Sequence, residues 1–127
     1  SLLYHLNIGH PFLVPGAKAV GQDPSLAMTM GEPGADGAPE ARSAPALGDP
    51  AEWRLERPDG ASLSVSFGSY GLPFAQIWRD PRPGSYVMAL EPCTDARGED
   101  GVTRDPVVLA PGETRSMRLS VTFRAPA

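Results

Sequence analysis

The chain has 127 residues, which is enough for one domain with a single core of modest size. Its formal net charge is -4, and its 11 lysines and arginines are scattered singly, so it lacks the basic patch with which proteins bind nucleic acid or anionic membranes. One cysteine excludes an internal disulfide framework and is typical of a reducing compartment, so we expect a cytoplasmic protein. No apolar run approaches the roughly 20 residues that span a bilayer.

The first predicted strand covers residues 2–8. Its alternation puts His5 and Asn7 on the face opposite the more apolar side chains. The glycines and prolines of residues 9–16 then end the strand and turn the chain over the rim of a sheet. Because the sequence is strand-like from its first residue, we expect a fragment of a larger protein, in which a missing N-terminal segment or a partner chain completes the sheet.

Residues 17–60 are predicted to be irregular and rich in loops. Residues 17–49 have few aromatic side chains and many glycines, alanines and prolines, so they cannot bury enough apolar surface to form a core. We expect an extended loop there that packs on another part of the protein or is partly mobile. Residues 50–56 are predicted to form one helical turn that carries Trp53, and residues 57–60 form a Pro/Gly turn.

The rest of the chain predicts short antiparallel strands at residues 62–68, 73–79, 85–91 and 114–124. Their side chains alternate between faces, so Gln76 and Trp78 share one face of the second strand. The third strand ends in Glu91, where Pro92 stops ladder pairing. The 15 prolines and 14 glycines follow no repeat and favour turns. Short strands, Pro/Gly turns and no long amphipathic helix predict an all-β fold, an antiparallel β-sandwich.

Few residues in the sequence can carry chemistry. The histidines, His5 and His10, lie on a strand and its turn without a cysteine pair or a helical Glu/His motif, so no metal site is predicted. The spacing leaves open a nucleophilic Cys93 beside a histidine, but a lone thiol is usually a packing residue. His5 and Glu91 could share proton transfer if their strands face one cleft. The alternatives are a hydrogen-bonded histidine within a sheet and a solvated glutamate.

Three separated stretches carry a family resemblance. Residues 3–11 read Leu-Tyr-His-Leu-Asn-Ile-Gly-His-Pro, residues 78–92 end in Val-Met-Ala-Leu-Glu-Pro, and residues 109–113 read Leu-Ala-Pro-Gly-Glu before the closing strand to Phe123. In this order they resemble the C-terminal half of the galactose mutarotase-like superfamily, the aldose 1-epimerase relatives. The likeness is strongest to the branch of uncharacterised bacterial epimerase-like proteins. It covers nearly the whole chain apart from residues 17–60.

The resemblance implies a fold and an activity. Residues 1–127 are expected to be the C-terminal portion of a large β-supersandwich, with a small-molecule sugar lying across its concave sheet. The implied function is aldose 1-epimerase (mutarotase) activity, in which His5 is the general acid and Glu91 the general base. Anomer interconversion needs only these two groups, so no cofactor and no metal are expected. The family's N-terminal half, with a second histidine and an arginine that contact the sugar, has no counterpart here.

We also expect four residues to bind the sugar, namely Asn7, Gln76, Trp78 and Arg79. An indole offers a flat apolar surface to the C–H face of a sugar, and an amide bonds its hydroxyls. Arg79 could pair with an anionic substituent. Core packing is the alternative for Trp78. For the protein as a whole, the alternatives are a non-catalytic carbohydrate-binding β-sandwich module and a structural β-sandwich without a ligand.

Overall fold

The structure is a computed structural model that describes residues 1–35, 37–98 and 100–126. Within these residues the chain forms short β-strands and one short 3-10 helix, Pro24–Leu26. The strands are β1 (Leu6–Ile8), β2 (Lys18–Gly21), β3 (Met28–Thr29), β4 (Glu40–Pro45), β5 (Ala51–Glu56), β6 (Ser62–Phe67), β7 (Phe74–Asp80), β8 (Val87–Cys93) and β9 (Leu119–Arg124). No helix in the described part of the chain is long and apolar enough to cross a membrane.

The strands form two antiparallel sheets. Sheet A has four strands in the order β1-β8-β7-β4, and sheet B has five in the order β3-β2-β5-β6-β9. Neighbouring strands in both sheets pair antiparallel. The predicted all-β fold, an antiparallel β-sandwich, is therefore confirmed.

The core lies between the sheets and follows the two-residue period of the strands. Ile77 and Leu90 of sheet A and Leu55 and Val65 of sheet B are each at most 1% exposed. Burying a side chain of this size contributes about 1.5–3 kcal/mol, so these positions hold the sheets together. The faces predicted for β6, β7 and β8 thus agree with the structure.

The prediction that residues 17–60 are irregular is wrong. This segment contains β2, β3, β4 and β5, and the residues expected to form a helical turn around Trp53 are strand β5. Ala51, Trp53 and Leu55 are buried, whereas Glu52 between them is exposed. This alternation is a strand pattern, and the helical prediction failed because Ala, Glu, Arg and Leu are also good helix formers. Strand β5 is stable because it pairs with β2 on one side and β6 on the other.

The ends of three predicted strands also differ. Strand β1 begins at Leu6, but Leu3 still bridges Cys93 and the Tyr4 N–H donates to the Pro92 carbonyl at 3.0 Å. Strand β9 begins at Leu119 rather than residue 114. Tyr86 lies in the turn before β8 with φ 37°, a left-handed conformation that is strained for a bulky residue.

Tyr86 also connects the turn before β8 to the segment between β3 and β4. Its hydroxyl donates a 2.6 Å hydrogen bond to the Gly31 carbonyl. The turn that contains it is closed by Arg82, whose carbonyl accepts the N–H groups of Ser85 and Tyr86. The left-handed turn therefore directs the ring toward the segment between β3 and β4, and that segment is anchored at the rim of sheet A.

Strand register places five of the six predicted site residues on the outer face of sheet A. Gln76 pairs with Glu91, and extension of the β1–β8 register by one residue puts His5 opposite Glu91 on its other side. Directly paired residues point to the same face of a sheet. In the next row on this face, Ala89 pairs with Asn7 on one side and Trp78 on the other.

Candidate functional site

Glu91 is the centre of the candidate site. It lies near the end of β8, an inner strand of sheet A, and is only 2% exposed. Buried carboxylates are rare unless they are paired or hydrogen-bonded, because removal of a charge from water is costly. The position of Glu91 therefore requires partners on the neighbouring strands.

Two side chains from the flanking strands contact the carboxylate. The Gln76 amide Nε2 donates to Glu91 Oε2 at 2.7 Å. On the other side, His5 Nε2 lies 3.1 Å from Glu91 Oε1. No donor among the described residues is aligned for a hydrogen bond with Oε1, so the imidazole is close without occupying the lone pairs of that oxygen. Oε2 is thus held by the protein, whereas Oε1 is buried beside His5 without an aligned donor.

Burial raises the pKa of Glu91 above its ordinary value. Loss of water around the carboxylate disfavours its charged form and is the largest effect. The nearby His5, the Gln76 hydrogen bond and the positive charge of Arg97 act in the opposite direction and lower the pKa. A glutamate whose pKa is raised toward neutrality is better matched to proton transfer than a solvated one.

The His5 and Trp78 rings cover β8 from its two sides. Their centroids are 5.9 Å apart, with an edge-to-face angle of 66°. Because His5 precedes β1 and Trp78 belongs to β7, the rings meet above the strand that carries Ala89 and Glu91. This arrangement explains why both β8 residues are buried, whereas the His5 side chain remains 45% exposed. Of His5 and Glu91, only the His5 imidazole is therefore in direct contact with solvent.

The structure brings five of the six predicted site residues together. These are His5, Asn7, Gln76, Trp78 and Glu91, all on the outer face of sheet A. Arg79 lies on the opposite face of β7, in register with Met88. Its guanidinium donates to the Thr29 carbonyl at 2.5 Å and to Glu40 at 3.0 Å. The structure therefore does not bring Arg79 to the other predicted site residues.

Sequence analysis missed two residues on the site side of sheet A. Ser43 pairs with Gln76 and extends the row of His5 and Glu91 onto β4. Arg97 lies in the loop after β8, close enough for its charge to lower the pKa of Glu91. Ser43 was hidden because β4 was not predicted. Arg97 has no sequence signal, since its loop contains several other charged residues.

Cys93 is a packing residue rather than a nucleophile. Its thiol is buried and donates weakly to the Asp95 carbonyl at 3.5 Å. Burial raises the pKa of Cys93 to about 11, so the reactive thiolate is scarce near neutral pH. In the part of the chain that the structure describes, no group of three or more His, Cys, Asp or Glu side chains could hold a metal ion.

A comparison with protein families gives one match over nearly the whole chain. The model of the family described as a domain of unknown function, DUF4432, matches residues 1–123. The chain matches none of the curated proteins and none of the solved structures with which it was compared. The matched range includes every residue of the candidate site. The chain therefore belongs to the DUF4432 family.

Proposed function

We propose that this chain carries the acid/base pair of an aldose 1-epimerase-like isomerase that acts on a cytoplasmic sugar. The carrying observation is the 3.1 Å approach of His5 Nε2 to Glu91 Oε1 on the outer face of sheet A, where the His5 side chain is half-exposed and Glu91 is buried. These residues come from distant parts of the chain, and the mutarotase resemblance had paired them as acid and base. An imidazole and a carboxylate of raised pKa are the two groups that anomer interconversion requires.

In the proposed reaction the half-exposed His5 side chain moves away from Glu91, and the anomeric hydroxyl enters between the two groups. Glu91 Oε1 takes its proton while the protonated imidazole gives a proton to the ring oxygen. The bond between the anomeric carbon and the ring oxygen breaks, and an open-chain aldehyde forms. Rotation about the adjacent carbon–carbon bond and the reverse proton transfers then close the ring with the other anomeric configuration. No electrons are exchanged with any other molecule, and both protein groups return to their starting states.

The geometry of Glu91 supports the role of each carboxylate oxygen. Because Oε2 accepts the Gln76 amide, the carboxylate is held with Oε1 directed toward His5. Oε1 is buried and has no aligned donor in the described part of the chain, so it can accept the sugar hydroxyl once His5 moves away. Trp78 supplies an apolar ring beside the imidazole, and exposed Asn7 supplies an amide in the neighbouring row.

A second candidate function is a non-catalytic carbohydrate-binding module. The observation that favours it is the 2% exposure of Glu91. If the contact between His5 and Glu91 does not open, the carboxylate orients the imidazole and never meets the sugar hydroxyl. The sugar would then bind to Trp78, Asn7 and the exposed edge of His5 without proton transfer.

Catalysed interconversion of sugar anomers separates the two functions. We suggest measuring, by magnetisation-exchange NMR, the interconversion of glucose and galactose anomers with the intact gene product. Glu91→Gln keeps the side-chain shape and His5→Asn removes the imidazole, and each is expected to lower the catalysed rate by about 100-fold or more. Glu52→Gln and His10→Asn are matched controls, because both parent residues are exposed and lie outside the site.

The outcomes are distinct. Loss of exchange in Glu91→Gln with retained sugar binding supports the isomerase. Sugar binding without any catalysed exchange in the unmodified protein supports the binding module. Equal exchange rates in the unmodified protein and both site variants would exclude His5 and Glu91 as the acid and base.

A further inference from the structure

A depression beside Glu91 lies next to the proposed sugar site. Its volume is about 560 Å3, and its lining includes Ser43, Gln76 and Arg97. Gln76 is shared with the candidate site, because its amide also donates to Glu91 Oε2. A sugar ring placed over His5 and Glu91 could therefore extend a substituent past Gln76 into this depression.

Arg97 is the cation that this depression offers to a ligand. Arg42 also lines it, but its guanidinium contacts Glu40 at 2.6 Å and donates to the Ala27 carbonyl. Arg104, in the same loop as Arg97, pairs with Asp100 at 2.7 Å. Arg97 is exposed, and no carboxylate in the described part of the chain is in salt-bridge contact with it.

The backbone that carries Arg97 is held in place on both sides. Arg97 bridges Thr103 across the loop, and the Arg104 N–H donates to the Ala96 carbonyl at 3.0 Å. Before it, buried Asp95 accepts the Val107 N–H at 2.6 Å and is also bonded by the Thr94 hydroxyl. Because these contacts hold the backbone at Arg97, binding through its side chain need not include the entropy cost of fixing that backbone.

We propose that Arg97 binds an anionic substituent of the sugar, a phosphate or a carboxylate, within this depression. The inference rests on the proposed function for the position of the sugar ring. A guanidinium presents two parallel N–H donors that match the oxygens of either anion. Ser43 pairs with Gln76 and lines the same depression as Arg97, so its hydroxyl is a further donor. The site thus selects acidic sugars over neutral aldoses, a role that the sequence had suggested for Arg79.

Binding measurements test this selectivity without relying on catalysis. The probes are glucose and galactose, their 6-phosphates, and glucuronate and galacturonate, titrated into the intact gene product by calorimetry at low salt. The acidic sugars are expected to bind about 10-fold or more tightly than the neutral ones, as for one charge-assisted contact. Arg97→Gln should remove this preference, Arg97→Lys should keep part of it, and the control Arg104→Gln should leave it unchanged.

Each outcome decides the inference separately from the proposed function. Preference for the phosphates alone, or for the uronates alone, identifies the anion and supports the inference. An anionic preference that disappears in Arg97→Gln supports it even if no anomer exchange is detected, in which case only the isomerase proposal fails. Equal binding of acidic and neutral sugars, a preference that persists in Arg97→Gln, or binding of none of the six probes overturns it.

Discussion

Gln76 and Glu91 are directly paired across β7 and β8, and the Gln76 amide holds Glu91 Oε2 at 2.7 Å. This hydrogen bond divides the carboxylate into one oxygen that is held by the protein and one that faces His5. It also stabilises the charged form of the side chain and so opposes the rise in the pKa of Glu91 that burial causes. The amide therefore has a structural effect and an electrostatic effect that can be measured separately.

Replacement of Gln76 by methionine should destabilise the protein. The variant keeps the side-chain length but leaves Oε2 of a buried carboxylate without its donor, which costs about 1–3 kcal/mol. Urea unfolding at pH 7 measures the change in the free energy of unfolding. Gln22→Met is the matched control, because Gln22 is exposed, and it should change this free energy little. Equal stability of the Gln76 variant and the unmodified protein would show that the hydrogen bond contributes nothing net.

The raised pKa of Glu91 predicts a pH-dependent contribution to stability. A carboxyl group binds its proton more tightly in the folded protein, so the free energy of unfolding falls as pH rises above the unfolded value of 4.5. The loss is complete once the pH passes the folded pKa. Relative to the unmodified protein, Glu91→Gln should therefore gain stability with rising pH across this window.

Urea unfolding of both proteins between pH 4 and pH 8 tests the sign of that dependence. The difference between them isolates Glu91, since the other carboxylates are common to both. In a His5→Asn background the window should extend to higher pH, because the imidazole lowers the pKa of Glu91. A stability difference that is independent of pH would contradict the burial effect on this side chain.

Cys93 should be unreactive in the folded protein. Its buried thiol has a pKa raised to about 11, and the thiolate is the form that reacts with iodoacetamide. We expect negligible labelling at pH 8 in native buffer and complete labelling in urea, both measured by intact mass. The denatured sample is the internal control. Native labelling at the rate of a free cysteine would show that the end of β8 opens to solvent.

Asp80 should stabilise the turn between β7 and β8. It accepts two hydrogen bonds from the Arg82 guanidinium, at 2.8 and 2.7 Å, and these hold its pKa well below the usual range. A depressed pKa gives stability that is present above the unfolded value of 3.8 and is lost as pH falls below it. Asp80→Asn should therefore lower the melting temperature at pH 7.

Melting temperatures at low pH provide the control for the Asp80 prediction. The difference between Asp80→Asn and the unmodified protein should shrink as pH falls below 3.8, where the unmodified protein loses the contribution. Arg82→Gln should lower the melting temperature similarly, and the double variant should lose little more than either single one. Additive losses would indicate that the two side chains act independently.

The accuracy of the sequence predictions differed between the two halves of the fold. Strands β6, β7 and β8 carry apolar residues at every second position, so their faces were predictable before any pairing was known. Strands β2 and β3 are short, and β4 contains alanines, a proline and charged residues, so their pattern is weak. The structure of β2 and β4 depends on pairing with β5 and β7 rather than on local preference.

The candidate site shows the same division. The mutarotase resemblance singled out His5 and Glu91, and the alternation of β7 put Gln76 and Trp78 on one face. Arg79 was assigned to the same site from its neighbourhood in sequence, yet its register with Met88 directs it to the other face. Arg97 and Ser43 could not be found, since a loop and an unpredicted strand carry them.

By itself, the sequence determined the all-β class and which side chains of each strong strand share a face, because the pleat alternates with a period of two. Only the tertiary structure decided that β8 lies between β1 and β7, so that His5 and Gln76 contact the two oxygens of Glu91. The order and register of strands distant in the chain depend on how the whole core packs, and no local pattern encodes that choice.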